Sequence, residues 1–185
     1  MELAYLESIK KQFEYYKSLG ERTMEQLDEQ DLFWKFNEDS NSIVIIVQHL
    51  WGNMMSRWSD FLTSDGEKEW RNRDLEFESV IQTKQELLMK WEEGWNCLFT
   101  ALDSINKDNF STIVYIRNQA HSVTDAINRQ LAHYSYHIGQ MVYIGKMIKS
   151  QNWKSLTIPK GKSSDFNQQK FSKGKHGGHF SDDVK

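Results

Sequence analysis

The sequence predicts an all-α protein built as a four-helix bundle, and three observations carry the prediction. Four stretches repeat apolar residues at steps of three or four, the signature of amphipathic helices. The only proline is Pro159, so the first 158 residues lack the residue that breaks helices. Only six of the ten glycines precede residue 150. Seven Trp, seven Tyr and ten Phe supply enough ring area to bury a core in a chain that is polar on average.

The first helix is read at residues 2–19, where Leu3, Leu6, Ile9, Phe13 and Tyr16 form one stripe and Gly20 is a natural stop. Residues 23–37 read as irregular, with a short turn around Met24–Leu27, and the polar cluster Asn37–Ser42 then offers helix-starting residues. The second helix runs from about Ser42 to Leu62, with Ile43, Ile46, Val47, Leu50, Met54, Trp58 and Phe61 within a third of its circumference. Residues 63–78 are charged and aperiodic, with Trp70 as their one large apolar anchor.

Ser79-Val-Ile-Gln82 reads as a capping box that opens the third helix, whose stripe is Ile81, Leu88, Trp91, Trp95, Leu98 and Leu102. Residues 111–121 contain the β-prone run Thr112–Ile116, which suits a short extended piece or hairpin arm. Ser122-Val-Thr-Asp125 is a second capping box, starting a fourth helix that continues to about Lys149. Residues 1–150 are thus the bundle, and 151–185 a basic, partly disordered tail rich in Lys, Gly and Ser. The linker of about sixteen residues between the second and third helices is long enough to return along a helix, at roughly 3.3 Å per residue. A crossover is therefore permitted there.

Charge narrows the function. The net charge is −3, but residues 150–185 carry +4, leaving −7 on residues 1–149. An acidic body argues against a nucleic-acid groove. A single cysteine, Cys97, fits a reducing compartment. The start of the chain lacks a signal-peptide pattern, and no apolar run approaches membrane-spanning length. The expected address is the cytoplasm, with no membrane partner.

The sharpest local feature is His133-Tyr-Ser-Tyr-His137. Two histidines at i and i+4 share one helix face, and their direction borders the apolar arc of Ile127, Tyr134, Ile138 and Met141. His49 lies at the edge of the second helix's stripe, where an unpaired ring is costly to desolvate, and Gly52 and Asn53 leave room beside it. Together the three make a nitrogen ligand set for one divalent metal ion; such ligands suit zinc, nickel, iron or cobalt alike and do not choose among them. Three histidines without a fourth protein ligand leave a position open, and a metal there lowers the pKa of a water or thiol.

The segments "NSIVIIVQHLWGNMMSRWSDFL" and "HSVTDAINRQLAHYSYHIGQMVYIGK", in this order of elements, resemble the DinB/YfiT-like superfamily over roughly residues 1–150, and "SLTIPKGKSSDFN" resembles the tail of an uncharacterised bacterial branch. The resemblance implies an up-down-down-up bundle, often dimeric, so a homodimer is expected. It also implies a metal on one histidine of the second helix and a His-x-x-x-His pair on the fourth, positions matched here by His49, His133 and His137. Some members are thiol S-transferases that use bacillithiol or mycothiol, and others are isomerases. The expectation is a metal-dependent thiol S-transferase that activates a low-molecular-weight thiol against an electrophile. The alternatives are a non-catalytic metal-binding or stress-associated protein and a metal-dependent hydrolase.

Around the triad, Arg129 and Gln140 lie near the direction of the pair and serve either an anionic cofactor, the metal ligands or the surface. Tyr134 is expected in the core, whereas Tyr136, Asn53 and Arg57 either line a pocket or face solvent. Trp51, Trp58, Trp91 and Trp95 suit a core or a dimer face. Cys97 reads as a small hydrophobe, His121 as structural, and His176 and His179 as adventitious at most.

Overall fold

The structure is a computed structural model that describes residues 2–78 and 80–183, with the side chains of all of these except Leu3 and Asp183. The regular elements are six helices, a two-stranded sheet and three short 3-10 turns among the described residues. Ser79, expected to cap the third long helix, lies outside the described residues, as does the side chain of Leu3.

Helix α1 spans Glu2–Met24 and runs through Gly20 instead of stopping there. A Cβ on Gly20 would lie 2.4 Å from the Trp91 ring, so this glycine is a packing gap and not a cap. Helix α2, Glu29–Phe33, fills part of the stretch read as irregular and buries Leu32 completely. Helix α3, Ile43–Trp58, starts at the expected residue, where Ser42 Oγ accepts from the Ile45 N–H at 3.3 Å. It ends four residues earlier than expected, because Asp60 takes a left-handed conformation at φ 50° and its carbonyl accepts from the Thr63 and Ser64 N–H groups.

Helix α4, Lys84–Asp103, is capped by Thr83, whose Oγ1 accepts from the Glu86 N–H, while the Glu86 carboxylate accepts from the Gln82 N–H. The capping pattern is real but begins four residues after Ser79. The stripe holds at Ile81, Trp91, Trp95, Leu98 and Leu102, all buried, but its second position is Leu87, fully buried, and not Leu88, which is exposed. Strands β1, Ile113–Ile116, and β2, Gln119–Ser122, form the expected hairpin, with Ile113 opposite Ser122. Its two turn residues, Arg117 and Asn118, both have positive φ, as a two-residue turn between twisted strands requires. Helix α5, Val123–Lys149, begins at the expected box, with Ser122 Oγ accepting from the Asp125 N–H at 3.1 Å. The tail carries helix α6, Ser163–Ser172, none of whose residues is buried.

The four long helices pack α3 on α4 and α1 on α5, with further contacts of α3 to α5 and of α1 to α4. Phe13, Trp58, Trp95 and Tyr134 meet at the centre, the ring of Phe13 lying 5.9–6.5 Å from the other three. Helix α3 departs from the one-sided stripe expected of it. Gln48, His49, Asn53, Ser56 and Arg57 are buried as thoroughly as its apolar residues. Buried polar groups need partners, and these residues find theirs chiefly in the connector between α3 and α4. Trp70, expected to anchor that connector, is 59% exposed; the anchoring is polar.

Candidate metal centre

Two helices and one loop build the site. Residues 133 and 137 are one turn apart on α5, and His49 faces them from α3. The Nε2 atoms of His49 and His133 are 3.2 Å apart, and those of His133 and His137 are 3.1 Å apart. All three ligand atoms lie within 4.8 Å of one another, and no other such set of His, Cys, Asp or Glu donors occurs among the described residues. His49 and His137 are buried and His133 is half-buried.

The hydrogen bonds on the far side of each ring decide which nitrogen points inward. His49 Nδ1 is 2.8 Å from Glu76 Oε2. Glu76 also accepts from Arg71, from Nε at 2.7 Å and from Nη2 at 3.0 Å. Burial pushes the Glu76 carboxyl up, but the hydrogen bonds from His49 and Arg71 outweigh it and hold the group below its ordinary pKa. An ionised carboxylate only accepts, so His49 Nδ1 carries a proton and donates it to Glu76, which turns Nε2 toward the other two rings. His137 is set the same way, with Nδ1 2.7 Å from Gln140 Oε1.

At this spacing the three Nε2 atoms must share a proton or a cation; a proton on His133 Nε2 serves one neighbour at a time, whereas a metal ion serves all three. Nitrogens about 2.05 Å from a tetrahedral ion would sit roughly 3.3 Å apart, close to the observed separations. The residues present therefore fit one divalent ion. The Arg71–Glu76–His49 chain is the carboxylate–histidine arrangement that orients metal-binding imidazoles.

Burial, reinforced by the other histidines and by Arg57 and Arg71, pushes His133 down to about 3. Burial likewise lowers His137 to about 4, although Gln140 opposes the shift and His49 adds to it. A histidine held neutral in the fold but free to charge when unfolded (pKa about 6.5) makes the unfolded chain the better proton acceptor between those values. The stability of metal-free protein is therefore expected to be full above about pH 6.5 and to fall as pH drops toward 4. Urea midpoints across that range, compared with a His133→Ala/His137→Ala variant whose profile should be flatter, check this.

Sequence reasoning missed the connector. Gln48 donates its amide to the carbonyls of Leu75, Glu76 and Glu78 and accepts from the Val80 N–H, fixing residues 75–78 and Val80 against α3. Phe77 stacks on the His49 ring at 5.1 Å. Gly52 makes room for Glu76: a Cβ there would lie 2.5 Å from Glu76 Oε1. The available signal was a buried histidine without a nearby acid on its own helix, followed by a connector rich in Glu and Arg.

The remaining residues sort clearly. Arg57 is buried and donates to the Gly66 carbonyl; Asn53 accepts from the Tyr134 hydroxyl at 2.9 Å, which itself accepts from Trp58 Nε1 at 2.9 Å. Tyr136 is exposed with its ring against His137. Arg129 donates to the half-buried His121 at 3.1 Å. Trp58, Trp91 and Trp95 are core, while Trp51 lies half-buried under Lys90. Cys97 is half-buried, and burial pushes its thiol pKa up. His179 sits in the tail and bonds Ser181.

A family model described as "Protein of unknown function (DUF1572)" matches residues 1–162. No curated protein and no solved structure matches.

Proposed function

The chain belongs to the DUF1572 family, and on that premise we propose that it holds one divalent metal ion on His49, His133 and His137 and uses it to activate a low-molecular-weight thiol against an electrophile. The observation that carries the reading is the convergence of the three Nε2 atoms at the floor of a cleft of about 490 Å³. A bound ion would supply a Lewis acid that favours the ionised form of a thiol in its open position. The chain's own residues orient that ion: Glu76 and Gln140 fix the two ring tautomers, and Phe77 covers one face of His49.

In the same reading the four long helices are a DinB/YfiT-like bundle in up-down-down-up order, with residues 59–83 as the crossover. The likeness of the two histidine-bearing segments supports it, as does the packing of α3 on α4 and α1 on α5. No helix among the described residues is long and apolar enough to cross a membrane.

The test is to purify the protein without a histidine tag, measure bound metal, and screen the loaded form with low-molecular-weight thiols and model electrophiles. Near-stoichiometric metal and thiol consumption, both lost in His133→Ala, are the expected result. Stoichiometric metal with no thiol turnover would assign the site to binding or to hydrolysis, and absence of metal affinity would end the proposal.

A further inference from the structure

The cleft above the three histidines has a charge opposite to that of the body that contains it. Arg57, Arg71, Arg73, Arg117 and Arg129 all line it, and no aspartate or glutamate does. Two carboxylates behind the wall offset part of this charge. Glu76 binds Arg71, and Glu67 lies within 3.5 Å of Arg57, Arg71 and Arg117.

Arg73 and Arg129 are different, having no carboxylate within ion-pair distance among the described residues. Arg73 lies over the Phe77 ring at 5.5 Å, and Arg129 donates to Nε2 of His121. One further donor is unmet: Arg57 is 6% exposed, and its Nε has no hydrogen-bond partner. Five guanidinium groups set against two carboxylates in a cleft are costly to assemble, because like charges repel and each must be partly desolvated. An anion in the cleft relieves both costs, and guanidinium is the side chain best shaped to grip an oxyanion.

We infer that the cleft binds a small organic oxyanion, a carboxylate or phosphate, with its charged end between Arg73 on the connector and Arg129 on α5. This deepens the metal reading and rests on it only for where the reacting end of the molecule lies. The acidic average of residues 1–149 conceals the feature, since its arginines come from distant parts of the chain. Arg73 comes from the connector, Arg117 from the hairpin turn and Arg129 from α5. The cleft volume suits a small molecule.

The experiment titrates malonate, inorganic phosphate and uncharged malonamide into metal-free and zinc-loaded protein at low salt, by calorimetry and thermal melting. Malonate or phosphate is expected to bind, and the stronger of the two identifies the oxyanion type. Affinity should fall with added sodium chloride and by about tenfold in each of Arg73→Gln and Arg129→Gln. These side chains are exposed, so both variants should melt like the parent protein. The inference is overturned if malonamide binds as well as malonate, if neither anion binds, or if an anion binds only the zinc-loaded form and ignores both substitutions. Anion binding to a protein that takes up no metal would uphold the arginine site while removing the metal reading, so the two fail separately.

Discussion

Replacing Glu76 with alanine is expected to lower stability by about 3–5 kcal/mol and to weaken metal binding roughly 10–100-fold. Both effects come from one carboxylate. Arg71, whose side chain is 2% exposed, donates two hydrogen bonds to it and, among the described residues, otherwise pairs only with Glu67 at 3.5 Å. Without Glu76 a buried cation is left nearly unpaired. His49 simultaneously loses the acceptor for Nδ1–H, so its ring is free to turn or change tautomer. Urea unfolding of metal-free protein reads the first effect, and zinc competition against a chelator reads the second. Glu76→Gln keeps the volume and an acceptor for His49 but not the charge facing Arg71, so it should recover metal affinity more than stability. An alanine variant that matched the parent in both measurements would show that the Arg71–Glu76–His49 chain is incidental.

The other large effect belongs to Phe13→Ala, expected to cost about 3–5 kcal/mol with no change in the metal affinity of the folded protein. Phe13 is fully buried, and its ring is in edge or tilted contact with Trp58, Trp95 and Tyr134. Removing it opens a cavity bounded by three large rings on three helices, and rigid rings close such a void poorly. The melting temperature should fall by on the order of 10 °C for a chain of this size. Chelator competition at a temperature where the variant is folded checks the second half, since Phe13 touches neither the ligating nitrogens nor their partners. Together the two substitutions separate packing from site geometry.

The elements that could be read from sequence are those whose signal is local. Ser122 with Asp125 marked the start of α5, Ser42 marked α3, and the β-prone run 112–116 marked the hairpin, because each is decided by neighbouring residues. The histidines were legible for the same reason: i,i+4 spacing on α5 and a titratable ring on an apolar helix are periodic facts. Gly20 misled because its role depends on Trp91, about seventy positions away. Leu88 misled because two adjacent leucines, 87 and 88, both border the arc of Trp91, Trp95, Leu98 and Leu102, and only docking of α4 decides between them. The connector was opaque throughout. Residues 63–78 have no period, and nothing local reveals that Glu76 will sit beneath Gly52 or that Gln48 will gather three of the connector's carbonyls.

That connector is fastened at two places. Asp65 accepts from the backbone N–H groups of Arg117 and Asn118, and the Gly66 N–H donates to the Tyr115 carbonyl, while Gln48 secures the far end. The strap that aims His49 therefore depends on a hairpin that contributes no ligand. Transplanting only the two ligand-bearing helices into another scaffold would carry over three imidazoles but not their alignment. The smallest portable unit of this centre includes the strap and the clasp that closes it.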